Sequence, residues 1–121
     1  MCGITGFIDP LHQLKLEDLS TVLSEMCQSL THRGPDASGV FVDKTLALGL
    51  AHRRLSVLYI SSAGNQPMKS VCGQFTMVYN GEIYNYKDLQ VQLIKQDPSI
   101  HFKTSSDTEV LLRAITNWGY R

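Results

Sequence analysis

The chain begins Met1-Cys2-Gly3-Ile4-Thr5-Gly6-Phe7-Ile8-Asp9-Pro10. Ile4, Thr5, Phe7 and Ile8 give Gly3 to Asp9 a strand-like composition, because β-branched and aromatic side chains suit a pleated surface. Asp9-Pro10 closes the run. No basic region followed by a long apolar stretch is present, so this is not a secretory signal. Removal of Met1, usual when the second residue is small, would make Cys2 the chain terminus. Its α-amine (ordinary pKa about 7.7–8.0) and thiol (about 8.5) are each poised near neutrality. The neutral amine can act as general base for the thiol, so one residue can supply both nucleophile and base. The alternative is an ordinary thiol near a frayed end, and position alone does not separate the two.

Working outward, Leu16, Leu19, Val22, Leu23, Met26, Cys27 and Leu30 recur at three- and four-residue spacing, which predicts a helix of roughly four turns. Cys27 lies on that apolar stripe and reads as core. His32-Arg33-Gly34-Pro35-Asp36 is turn-rich by composition. Two strands are predicted at Gly39 to Val42 and from Leu46 to Leu50 or beyond, separated by Asp43-Lys44. Ser61 to Pro67 reads as loop, and Phe75 to Tyr79 as a strand ending at Asn80-Gly81. Asn85 can cap a helix from about Tyr86 to Lys95, with Asp88 in its first turn and Asp97-Pro98 as its stop. His101 to Lys103 can form a short strand. Ser106-x-x-Glu109 has capping-box spacing and precedes a second stripe of Val110, Leu111, Ala114, Ile115 and Trp118. Short strands with helices between and after them predict a mixed α and β domain.

Composition narrows the function classes. The 121 residues suit one modest domain, 43% of them hydrophobic and 18% charged. Eleven basic residues balance eleven acidic ones, with no basic tract or basic amphipathic face, so nothing favours nucleic acid or an anionic membrane surface. No apolar run approaches the ~20 residues of a membrane-spanning helix, and the expected location is cytoplasmic. Cys2, Cys27 and Cys72 are odd in number and lack paired spacing, which argues against a disulfide framework or a metal site.

Several residues could carry chemistry. Asn80-Gly81-Glu82 follows a predicted strand, so the Asn80 amide and the Gly81 N–H can converge as oxyanion donors, each worth roughly 2.7–4 kcal/mol. The competing reading is a tight turn, for which Asn-Gly is preferred. Arg54 ends the run Ala51-His52-Arg53-Arg54-Leu55-Ser56, where its fork can hold a carboxylate or simply face solvent. Asp107, in the first turn of the last helix, can bind an ammonium or complement the helix dipole. These groups make up a site for an α-amino acid with a side-chain amide, but spacing alone does not show convergence.

Six segments, in order, carry a resemblance: Met1 to Ile4, His32 to Asp36, Ala51 to Val57, Gly64 to Met68, Tyr79-Asn80-Gly81-Glu82-Ile83-Tyr84-Asn85, and Ser106 to Glu109. They resemble the N-terminal part of class II glutamine amidotransferases, which are N-terminal-nucleophile hydrolases. Within that class the match is to the glutaminase half of the glutamine-hydrolysing asparagine synthetases. The resemblance implies an α+β, αββα sandwich. It implies that Cys2 attacks glutamine to form a thioester, with Asn80 and Gly81 as the oxyanion hole. Arg54 would take the substrate carboxylate, Asp107 and Glu82 its ammonium, and Leu55, Ser56, Val57 and Leu58 would line the pocket.

The resemblance also implies a domain of ~200 residues, truncated here after Arg121, with residues 1–121 as its N-terminal part and the synthetase domain absent. That synthetase domain, in the same parent chain or a partner chain, would use ATP and Mg to amidate aspartate. The segment itself is expected to hold no metal or cofactor. The partner is L-glutamine, and an oligomer stays open. Two rivals stand beside this reading: a catalytically incomplete fragment or glutamine-binding module, and a glutaminase serving a synthetase with a different acceptor.

Overall fold

A computed structural model describes residues 2–55 and 64–120. These form an α+β arrangement of five strands, in two antiparallel sheets, and three helices. The described residues divide into two compact units, one of residues 2–55, 65–67 and 78–80, the other of residues 64, 68–77 and 81–120.

The first unit is built on β1 (Gly3–Ile8), β2 (Ala37–Asp43) and β3 (Leu48–Arg54), with β3 central and both neighbours antiparallel to it. The registers pair Gly3 with Arg53 and Ala37 with Arg54. Helix α1 (Leu19–Ser29) covers one face. Its buried Leu23 and Cys27 meet Ala51, with Phe7 and Val42 packed around them. Full burial of a leucine such as Leu23 contributes about 1.5–3 kcal/mol. Cys27 is core, as its place on the stripe predicts.

Several boundaries in this unit differ from expectation. Helix α1 starts at Leu19, not Leu16, and spans 11 residues, nearer three turns than four. The Asp18 N–H is taken by Lys15 O at 2.9 Å in a preceding turn, which leaves Leu16 exposed. Strand β2 extends beyond the predicted Gly39 to Val42 at both ends, β3 begins at Leu48 instead of Leu46, and a turn over 44–47 joins them. Asp43 Oδ1 organises that turn, accepting from the N–H groups of Thr45 (2.9 Å) and Leu46 (3.0 Å), an Asx-type bond that spacing cannot display.

The second unit contains a short hairpin of β4 (Met68–Lys69) and β5 (Thr76–Met77) and the helices α2 (Tyr86–Gln96) and α3 (Asp107–Trp118). Leu93, Ile100 and Val110 form its core, flanked by Tyr86, Leu89, Phe102 and Ala114. Trp118 Nε1 donates to Gln96 Oε1 at 2.6 Å, closing the far end of the helix pair. Strand β5 is shorter than the predicted Phe75 to Tyr79, because its partner β4 offers only two residues. His101 to Lys103 form no strand. The N–H groups of Lys103 and Thr104 go to the Glu109 carboxylate instead of to a ladder.

Candidate active site

Cys2 immediately precedes β1, and the pairing of Gly3 with Arg53 sets it beside the residue that leaves β3. Its half-buried Sγ accepts from the Leu55 N–H at 3.5 Å and lies 4.0 Å from Leu55 O. Asn80 Nδ2 donates to Cys2 O at 3.0 Å. Thus Cys2, Leu55 and Asn80, three of the residues singled out in the sequence, meet within one unit. Arg54, last in β3, directs Nη1 to Asn65 Oδ1 at 3.3 Å, and its carbonyl accepts from Asp36 N at 3.0 Å.

Backbone packing around β3 holds these groups. Arg53 Nε donates to Gly34 O at 2.7 Å. A Cβ on Gly34 would lie 2.5 Å from the Arg53 carbonyl carbon, so only glycine lets the 32–36 segment approach so closely. On the next segment, Gly39 makes room for the Gln66 carbonyl. Buried Gln66 accepts through Oε1 from the Tyr79 N–H, which fixes the backbone just before Asn80. By composition Asn65 and Gln66 belong only to the Ser61 to Pro67 loop. Their signal lay in a polar pair beside a proline, and nothing local assigns its partners.

His52 is a residue the sequence reading left without a role. It is 3% exposed, and Nε2 has no hydrogen-bond partner. Burial, and secondarily the charge of Arg54, pushes its pKa below the ordinary 6.5. The imidazole is therefore neutral at pH 7.

Gly81, Glu82 and Asp107 belong to the second unit. Ser106 caps α3, its Oγ accepting from Glu109 N at 3.3 Å. Asp107 is the first helical residue, and its Oδ2 accepts from the Ile83 N–H at 2.9 Å. A cavity of about 370 Å³ is lined by Glu82, Ile83, Tyr84, Tyr86, Ser105, Ser106 and Asp107. Two carboxylates on one cavity suit a cationic group. Ser56, Val57 and Leu58 lie outside the described residues. Among the described residues no group of three or more His, Cys, Asp or Glu side chains gathers to hold a metal, and no helix is long and apolar enough to cross a membrane.

The glutamine amidotransferase domain family matches this chain over residues 1–121. Asparagine synthetase (glutamine-hydrolyzing) 3 of Bacillus subtilis strain 168 is 39% identical over 120 residues, covering 98% of this chain and 18% of its own length. A putative asparagine synthetase of Methanocaldococcus jannaschii is 33% identical over 136 residues, covering 99% of this chain and 25% of its own length. An amidase of Gibberella zeae is 36% identical over 126 residues, covering 98% and 18%. The chain thus spans a quarter or less of the length of these relatives. Its full-length match establishes that the chain belongs to the glutamine amidotransferase domain family.

Proposed function

We propose that residues 1–121 are the N-terminal part of a class II glutamine amidotransferase domain, with the αββα sandwich of N-terminal-nucleophile hydrolases, and that its reaction is hydrolysis of L-glutamine to glutamate and ammonia. The observation that carries this reading is the hydrogen bond from Asn80 Nδ2 to Cys2 O, which holds an amide donor beside the nucleophile candidate. A side-chain amide has two N–H donors. One orients Asn80 on Cys2, and the other is available to an oxyanion.

With Met1 removed, the α-amine of Cys2 takes the thiol proton and the sulfur attacks Cδ of glutamine. The S–C bond forms as the carbonyl electrons move to oxygen, where Asn80 Nδ2 and Gly81 N–H receive the charge. Collapse breaks the C–N bond. The ammonium of Cys2 returns its proton to the leaving nitrogen, giving ammonia and a γ-glutamyl thioester. Water, deprotonated by the same amine, then releases glutamate and restores the thiol. Arg54 holds the substrate carboxylate with paired donors, Asp107 and Glu82 hold its ammonium, and the backbone from Leu55 through Ser56, Val57 and Leu58 lines the pocket.

The names of the relatives in Bacillus subtilis and Methanocaldococcus jannaschii support a further step. A synthetase domain, in the same parent chain or a partner chain, uses the ammonia to amidate aspartate, with ATP and Mg bound in that domain. A second reading, a glutaminase serving a different acceptor, is favoured by the comparable identity to an amidase. A glutamine analogue carrying an electrophile at Cδ tests the shared step. Peptide mass mapping should find the label on Cys2, and labelling elsewhere in preference to Cys2 contradicts it.

A further inference from the structure

Glu109 is 7% exposed and does not complete the capping box its spacing suggests. The reciprocal bond to the Ser106 N–H is missing, since that N–H goes to Thr104 Oγ1 at 3.1 Å. The carboxylate turns the other way. Oε1 accepts from Lys103 N at 2.9 Å, and Oε2 accepts from Thr104 N and Thr104 Oγ1, each at 2.7 Å. Thr104 Oγ1 lies 2.8 Å from Ser106 Oγ, the cap of α3. One buried carboxylate therefore gathers three donors from the 103–104 segment. Charge-assisted bonds of this kind are about twice as strong as neutral ones, and a buried carboxylate left short of donors is costly.

The segment so held leads directly into the cavity described above. Ser105 and Ser106 form part of its wall, and Asp107 follows them. Asp107 then bonds the Ile83 N–H, beside Glu82. We propose that Glu109 is a positioning residue for the α-ammonium pocket: by tying down residues 103–106 it sets Asp107 against Ile83 and so fixes both carboxylates that receive the cation. This rests on the glutaminase reading. Glu109 itself touches no substrate, and the cavity lining does not include it.

The test compares Glu109→Gln with its parent, both carrying Cys2→Ala so that binding is read without turnover. Hydrogen exchange of the Ile83 amide is measured, together with affinity for L-glutamine and for its deamino analogue, 5-amino-5-oxopentanoate. The expected result is Ile83 exchange about tenfold faster and glutamine binding about tenfold weaker, the effect of losing one charge-assisted bond, with the deamino analogue unchanged. Thr104→Val, which keeps the buried carboxylate, should shift the same two readouts in the same direction by less. This second variant carries the test if Glu109→Gln does not fold. Unchanged Ile83 exchange, or equal weakening of both ligands, overturns the proposal and leaves the glutaminase reading intact. A parent protein that binds neither ligand overturns the glutaminase reading, and the assignment of Glu109 to an ammonium pocket with it.

Discussion

Asn80 donates an Nδ2 hydrogen to the carbonyl oxygen of Cys2 at 3.0 Å, across 78 positions of chain. The bond fixes the amide plane while leaving its second N–H for a developing oxyanion. Asn80→Ala should therefore lower kcat for ammonia release from glutamine by about 10²–10³, with a much smaller change in KM. An unchanged kcat in steady-state assays would remove Asn80 from the oxyanion role.

His52 sets a pH dependence of stability. Its pKa is depressed in the folded state by burial and by Arg54, so the unfolded chain binds more protons below the ordinary 6.5. Its contribution is complete above about pH 6.5 and declines as pH falls from there toward the depressed folded value. Asp9 and Asp97, also depressed, act near and below their ordinary 3.8, outside the interval from pH 6.5 to 5. Urea unfolding across that interval should show stability falling with pH, and His52→Phe should flatten the slope. An identical slope in the variant contradicts this account.

Gly34→Ala should destabilise the first unit by about 1–3 kcal/mol, because its Cβ would press into the backbone of Arg53 and Arg54. The shift in urea midpoint measures this. A cost below about 0.5 kcal/mol would mean the 32–36 segment relaxes freely.

The two helix starts of the second unit should respond differently. Ser106 accepts from Glu109 N, and Ser106→Ala should cost about 1 kcal/mol. Asn85 occupies the corresponding position before α2 without a side-chain capping bond, and Asn85→Ala should stay within about 0.5 kcal/mol. Equal losses in parallel unfolding curves would contradict the assigned caps.

These contrasts mark what was legible in the sequence. The 3.6-residue period found α1 and α3, because one apolar face leaves a trace in residue order. Leu16 shared that period yet lies outside α1, since a turn bond to Lys15 competes for the backbone. Ser106-x-x-Glu109 announced a helix start correctly but not the destination of the Glu109 carboxylate, which depends on a segment upstream. His101 to Lys103 looked like a strand from composition, but a strand needs a partner with free backbone groups. The candidate site residues were legible only through the resemblance. Cys2 and Leu55 are 53 positions apart, and no local pattern encodes their meeting. His52 stood inside a quoted motif, but its burial is a property of the sheet.

The most direct measurement is ammonia release from L-glutamine by the chain alongside its Cys2→Ala variant. The account predicts release by the parent and its loss in Cys2→Ala, with the variant still folded by circular dichroism. Equal release by both proteins would contradict Cys2 as the nucleophile and, with it, the central claim.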